Sequence, residues 1–297
     1  MIDRHPKIIS FSPDLDSEAS MNGDTPEEIA FMARILVLAT LPHNDPGDLP
    51  VWGRCNGDMS LTIQPRVKLV ENAPYNCGLP YGIIPRLLMI WVTTEAVRTK
   101  QRKLVLGNSL SEFMEKLDMA PTGGRWGSIT RLRDQMNRLF QSSIAYSFND
   151  ETLDEGEAML LSKKYKFFWD HKNPNQRGLF ESFILLDQDF FNEIISRPVP
   201  LNMEAIAALR KSPLGLDLYV WLTYRVSFLK KKQPISWSSF QKQFGSNYSD
   251  QKEFTRKAKR QIEKILALYP DLNIDLSPRG RFILYPSKTH VAKRISG

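Results

Sequence analysis

Residues 121–140 read PTGGRWGSITRLRDQMNRLF. Two glycines, Arg125 and Trp126 precede a run in which Ile129, Leu132, Met136, Leu139 and Phe140 recur at helical spacing. Arg131, Gln135 and Arg138, at intervals of four and three, fall on the other side of the same helix. Glycines ahead of a helix can cradle a phosphate or make a tight turn. A phosphate loop needs G-x-x-x-x-G-K-[ST] after a buried strand. Here GGRWGSI has no lysine at that place, and the segment before it, NSLSEFMEKLD, is a short helix with a capping box from Ser109 to Glu112. The dinucleotide pattern G-x-G-x-x-G fails as well. Gly123 and Gly124 therefore read as a turn between two helices, supplying positive φ without steric cost, with Ser128 capping the second helix.

Outward from this turn the order of elements repeats. GIIPRLLMIWVTTEAVRTK is a long apolar helix, RKLVL a strand, then come the short capped helix, the turn and the basic helix, and IAYSF and KYKFFW are strands of a hairpin. In the second half SPLGLDLYVWLTYRVSFL is the long apolar helix, capped by Ser212 with Pro213 at its first position. SWSSFQKQFG is a short helix stopped by Gly245, SDQKEFTRKAKRQIEKILALYP a basic helix capped by Ser249, and LNIDLSPRGRFILYPS a hairpin. DQDFFNEIIS and NMEAIAALR are short helices between the halves. Ahead of both, TPEE is a capping box and Ile29, Met32 and Leu36 continue it as a helix to Leu41; VWGRC and MSLTIQ are strands. The expected fold is α+β, two tandem winged-helix domains, each a helix-turn-helix with a β-hairpin wing. The expected division is a flexible tail over 1–24, a first domain over 25–172 and a second over 173–297.

Charge gives the repeat a function. The chain of 297 residues carries a net charge of +7, with 42% hydrophobic and 25% charged residues, which is globular composition. The second basic helix sets Lys252, Arg256, Lys257, Lys259, Arg260 and Lys264 against Asp250, Glu253 and Glu263, over a buried side of Phe254, Ala258, Ile262, Ile265 and Tyr269. Arg279 and Arg281 at the hairpin tip extend the same sign. Helix and wing cations of this kind meet duplex DNA: phosphates for most of them, base edges for arginine and glutamine on the helix that enters the major groove. The DNA-binding candidates are Arg125, Arg131, Gln135, Arg138, Lys252, Arg256, Lys259, Arg260, Arg279 and Arg281. The bland alternative for the first stripe is a solvated helix face. Asp150, Glu151, Asp154, Glu155 and Glu157 would be repelled by phosphates and are expected to stay off DNA.

Other chemistries find no support. His5, His43, His171 and His290 are scattered, without metal spacing to one another or to Cys55 and Cys77. Asp187 and Asp189 read as a helix cap. No nucleophile elbow or H-E-x-x-H occurs, and Tyr146, Tyr219 and Tyr224 read as core aromatics. No cofactor, no metal and no enzymatic activity are expected. No apolar run approaches the roughly 20 residues that span a bilayer, the N-terminus lacks a secretory h-region, and two cysteines fit a reducing cytoplasm.

The stretch LPYGIIPRLLMIWVTTEAVRTKQRKLVLGNSLSEFMEKLDMAPTGGRWGSITRLRDQMNRLF resembles the plasmid-encoded RepA replication initiators of broad-host-range plasmids. RPVPLNMEAIAALRKSPLGLDLYVWLTYR and ISWSSFQKQFG are similar to the second half of the same family. The likeness runs over roughly 28–290, with TTEAVRT, TGGRWG and SPLGLDLYVWLTYR the most specific segments; the N-terminus and the acidic link at 150–160 fall outside any family motif. It implies a protein that binds direct repeats (iterons) at a plasmid origin, helps open adjacent A·T-rich DNA and recruits the host helicase and initiator proteins. It further implies monomers on iterons and homodimers on the protein's own promoter. A winged-helix transcriptional regulator without initiator activity is the alternative, because both read DNA the same way.

Overall fold

In the computed structural model, which describes residues 28–34, 37, 40–56, 59–149, 154–169, 172–178, 180–245 and 248–292, the chain is mixed α and β. It opens with a strand, β1 (Ile29–Ala33), where the apolar spacing predicts a helix. Ile29, Ala30, Met32 and Ala33 are all buried. A strand covered on both faces reads as a continuous apolar run, and periodicity cannot tell that from a helix. Thr25 and Pro26 of the expected capping box lie outside the described residues.

β2 (Trp52–Asn56) and β3 (Met59–Gln64) form the expected hairpin, and β4 (Val67–Val70) with β5 (Ala73–Asn76) forms a second, separate one. The long apolar helix is α1 (Ile83–Thr99), followed by β6 (Lys103–Gly107), α2 (Leu110–Lys116) and α3 (Ser128–Phe140). Then come β7 (Ser143–Asn149), β8 (Asp154–Leu160), β9 (Ser162–Lys166) and β10 (Ser182–Leu186). α4 (Gln188–Ser196), β11 (Pro198–Asn202) and α5 (Met203–Leu209) lead into α6 (Pro213–Val226). β12 (Gln233–Ser236), α7 (Trp237–Phe244), α8 (Gln251–Leu268), β13 (Ile274–Asp275) and β14 (Arg281–Leu284) complete the chain. None of the described helices is long and apolar enough to cross a membrane.

The hairpin expected from IAYSF to KYKFFW is two structures. β7 pairs with β8, extending β2 and β3 into the sheet β2-β3-β7-β8. Carboxylates do not prevent this, because β8 is an edge strand: Met159 is buried, and Glu157, two residues before it on the same face, is exposed and accepts from the Tyr146 hydroxyl across the ladder. β9 instead pairs with β10, and β10 with β6, in the order β6-β10-β9. The sheet of the second half has the matching order β12-β14-β13. In each half the strand after the long apolar helix pairs with the last strand of the set, which pairs with the strand between. The expected division at 172/173 falls between the paired strands β9 and β10, and β11 pairs back onto β1, so the first set of elements runs on to Asn202.

α1 and α6 are apolar on almost every side and sit in the core; their meeting point is polar. Arg86 of α1 is 2% exposed. Its Nε and Nη2 donate to the two carboxylate oxygens of Asp217 on α6, each at 2.7 Å. Nη2 also donates to the Leu41 carbonyl, and Nη1 to the carbonyls of Pro42 and Gly82. These five bonds engage all the N–H donors that a guanidinium has. His43 Nε2 lies 2.9 Å from the second Asp217 oxygen. Burial alone would raise the Asp217 carboxyl, but the Arg86 charge and the bonds from His43 and Arg86 outweigh it and hold it below its ordinary range. Burial, in spite of the Asp217 hydrogen bond, holds the His43 imidazole below its ordinary value.

Arg86→Met would leave Asp217 buried with His43 but without its charged partner, and is expected to lower the unfolding free energy by about 3–5 kcal/mol. Arg86→Met combined with Asp217→Leu should recover most of that in urea unfolding. The acid limb follows from His43: its folded pKa lies below the unfolded value near 6.5, so the unfolded chain takes up the proton first. Stability is full above that value and falls as pH drops through it, with a further loss when Asp217 protonates, below about pH 4. A flat unfolding free energy between pH 7 and 5 would contradict a neutral, buried His43.

Candidate nucleic-acid interface

The turn between α2 and α3 is held by a local polar network. Ser109 caps α2 by accepting from the Glu112 N–H at 3.2 Å, and the Glu112 carboxylate accepts from the Asn108 N–H at 2.9 Å, which keeps it below the usual carboxylate range. At α3 the cap differs from expectation. Gly127 occupies the cap position, and the Ser128 N–H is satisfied by the Thr122 hydroxyl at 2.8 Å, while the Ser128 hydroxyl donates to the Ala120 carbonyl at 2.7 Å. Of the two leading glycines only Gly124 has positive φ, 86°. Gly127 is needed for space: a Cβ there would lie 2.3 Å from the carbonyl oxygens of Thr122 and Gly123. The chain leaves this turn with Arg125 and Trp126 exposed at its apex, the guanidinium 5.1 Å from the indole ring centre.

α3 buries Ile129, Leu132, Met136, Leu139 and Phe140, as its spacing predicts. Arg131 is exposed, and so is Arg133, which the helical stripe leaves out. Gln135 and Arg138 are not available to a groove. Gln135 is 4% exposed; its side-chain oxygen accepts from the Tyr81 N–H at 2.9 Å and its amide donates to Asp134. Arg138 is ion-paired with Asp134 at 2.9 Å, donates to the Leu79 carbonyl and lies over the Tyr81 ring. The segment 78–82, which leads into α1, covers that flank of the helix. A helical wheel shows which positions share a side; it does not show which neighbour covers them.

β9 supplies cations in place of the acidic hairpin. Lys163, Lys164 and Lys166 are exposed, alternating with Tyr165 and then with Phe167 and Trp169. These three rings form a stacked ladder, with centres 4.9 and 5.7 Å apart, that ends on Phe113 of α2. Arg133 and Asn137 of α3 face Tyr165, Lys166, Phe167 and Trp169 across a shallow groove. The pattern of Lys and aromatics in KKYKFFW was the signal for this surface. Arg177, beyond β9, is exposed too. Residues 150–153 of the acidic link lie outside the described residues.

In the second half Ser236 caps α7, and Asp250, not Ser249, caps α8 by accepting from the Lys252 N–H at 2.9 Å. Phe254, Ala258, Ile262 and Ile265 pack inward. Lys252, Arg256, Arg260 and Lys264 project as an exposed row four residues apart, and Arg279 and Arg281 flank Gly280 beside it. Lys257 is ion-paired with Glu253. Lys259 is a correction: it is half-buried, its Nζ donates to the Leu276 carbonyl at 2.9 Å and lies 5.7 Å from the Trp237 ring centre, so it ties the β13–β14 connection to α8. Asp187 caps α4, accepting from the Asp189 N–H, as expected.

Two basic helices, each preceded by a capped helix and flanked by cation-bearing strands, now stand on a shared core. The family model for plasmid-encoded RepA proteins matches residues 79–239, more than half of the chain. The chain belongs to the plasmid-encoded RepA family. The RepA match takes in α1, the glycine turn, α3 and α6, and ends within α7, so α8 with its row of cations lies beyond it. A crystal structure of domains 2 and 3 of RctB is similar in fold over a wider span. It covers 86% of this chain and 96% of its own, at 11% identity and a TM-score of 0.52. No curated protein matches the chain.

Gln135→Ala would leave the Tyr81 N–H buried without an acceptor, and should cost about 1–3 kcal/mol in thermal or urea unfolding. Gly127→Ala should destabilise more than Gly123→Ala, since a Cβ at Gly123 meets nothing within 4 Å. Equal effects of the two glycine substitutions would contradict the close approach at Gly127.

Proposed function

We propose that this RepA-family protein is a plasmid replication initiator that binds duplex DNA at the origin through two winged-helix units. The observation that carries the reading is the repeat: long helix, strand, capped helix, turn, basic helix and a sheet of one strand order, with exposed cations on the basic helix and on the neighbouring strands in both halves. The first unit takes in residues 28–202, with β7–β8 as an insertion, and the second 203–292. On DNA, α3 and α8 enter successive major-groove faces, with Arg131 and Arg133 at the first. Arg256 and Arg260 act at the second, and the strands beside each helix meet phosphates. The units act as a binding protein, not an enzyme. A monomer on a direct repeat suffices, opening of adjacent A·T-rich DNA and recruitment of host helicase follow, and homodimers act on the promoter. Family membership favours the initiator over a plain transcriptional regulator built from the same units.

The exposed cations suffice to neutralise six to ten phosphates, so affinity for an origin duplex should fall by about 10³ to 10⁵ between 50 and 200 mM salt. Arg256→Ala with Arg260→Ala should nearly abolish binding, while neutralising the acidic residues 150–157 should leave it unchanged or slightly tighter. Arg131→Ala should cost about 1–3 kcal/mol on the specific site and much less on random DNA. A salt-independent titration would remove the electrostatic argument. A plasmid that persists without this gene would make the protein a regulator instead.

A further inference from the structure

Trp126 is 80% exposed, more than any other large apolar side chain among the described residues. It does not dangle. The backbone on either side is fastened: Gly127 N–H donates to the Gly124 carbonyl at 3.1 Å, the Thr130 hydroxyl donates to the same carbonyl at 2.9 Å, and Ser128 and Thr122 bond one another through hydroxyl and backbone. A rigid turn that holds an indole in water forgoes the burial a tryptophan normally makes, about 150–250 Å². That arrangement has a purpose only if a partner covers the ring. The surroundings define the partner: Arg125 stacks beside the indole, Arg131 and Arg133 follow on the next turns of α3, and the next carboxylate along the helix, Asp134, is committed to Arg138 and Gln135. A partner fitted to these surroundings is anionic and presents an apolar feature to the leading end of a helix.

We infer that Trp126 is a base-reading residue, packing its indole against a thymine methyl group in the major groove at the N-terminal end of α3. Thymine C5-methyl is the apolar feature that a major groove displays, and phosphates on either side satisfy Arg125 and Arg131. This rests on the DNA-binding reading above and assigns a specificity contact to its first unit.

The test is a set of binding titrations on the plasmid's own origin repeat, with thymines replaced one at a time by deoxyuridine, which removes only the methyl group. Wild-type protein should lose about fourfold in affinity at one or two positions, the worth of one buried methyl group. W126A should lose about tenfold or more on the origin repeat and little on random duplex, and should be indifferent to the same replacements; W126F should keep part of the preference. Acrylamide quenching of the intrinsic fluorescence should fall on binding origin DNA, because Trp126 is the most exposed indole among the described residues. The exposed position means that W126A should unfold at the wild-type temperature. Equal losses by W126A on specific and random DNA would make the contact one to phosphate or sugar and overturn the proposal. Unchanged affinity and preference would overturn it too. If the wild-type protein shows no preference for the origin repeat at all, the DNA-binding reading fails first, and this one with it.

Discussion

A buried guanidinium has five donors to satisfy, and Arg86 satisfies all of them at the point where the two long helices meet. An uncompensated charge there would cost several kcal/mol, so everything that supplies an acceptor is fixed with it. Asp217 sets α6 against α1. The carbonyls of Leu41 and Pro42, with His43 behind them, pin the segment that follows β1. Gly82 holds the start of α1, and the residues just before it carry the constraint onward: Tyr81 N–H to Gln135, the Leu79 carbonyl to Arg138. A continuous polar path thus runs from the core helix of the second half to the basic helix of the first. It orients α3, and for that reason two of the polar side chains on α3 are used inside the protein.

The local signals in the sequence were legible. Ser109, Ser212 with Pro213, and Gly245 mark helix ends where the structure has them, because capping is decided within three or four residues. Where two candidates were adjacent the choice slipped by one: Gly127 for Ser128 and Asp250 for Ser249. What depended on distant neighbours was not legible. β1 reads as a helix because both its faces are covered, one by α1. β10, β11 and β12 gain their identity from partners far away in sequence, such as Ala33 opposite Pro198 and Lys103 opposite Leu185. Residues 154–160 of the acidic link form a strand because β3 and β7 are there to extend.

The candidate site divides along the same line. Arg125, Arg131, Lys252, Arg256, Arg260, Arg279 and Arg281 are exposed, as charged residues opposite an apolar stripe should be. Gln135, Arg138 and Lys259 lie on flanks that a second segment covers, which no helical period reveals. The exposure of Arg133 and Trp126 was hidden for the converse reason: each looks ordinary until the turn and α3 are seen to present it. The lysines of β9 were hidden by the wrong pairing, since they belong to the sheet beside α3 and not to the acidic hairpin.

Arg86 and Asp217 tie the core helix of one half to that of the other, and in the proposed reading a single chain covers one asymmetric site. Hydroxyl-radical footprinting of a single origin repeat, at protein concentrations where the chain is monomeric, measures this directly. The expected result is two unequal protected zones about one helical turn apart, some 34–36 Å, on a site without two-fold symmetry. A two-fold symmetric footprint, formed only where the protein is dimeric, would contradict it.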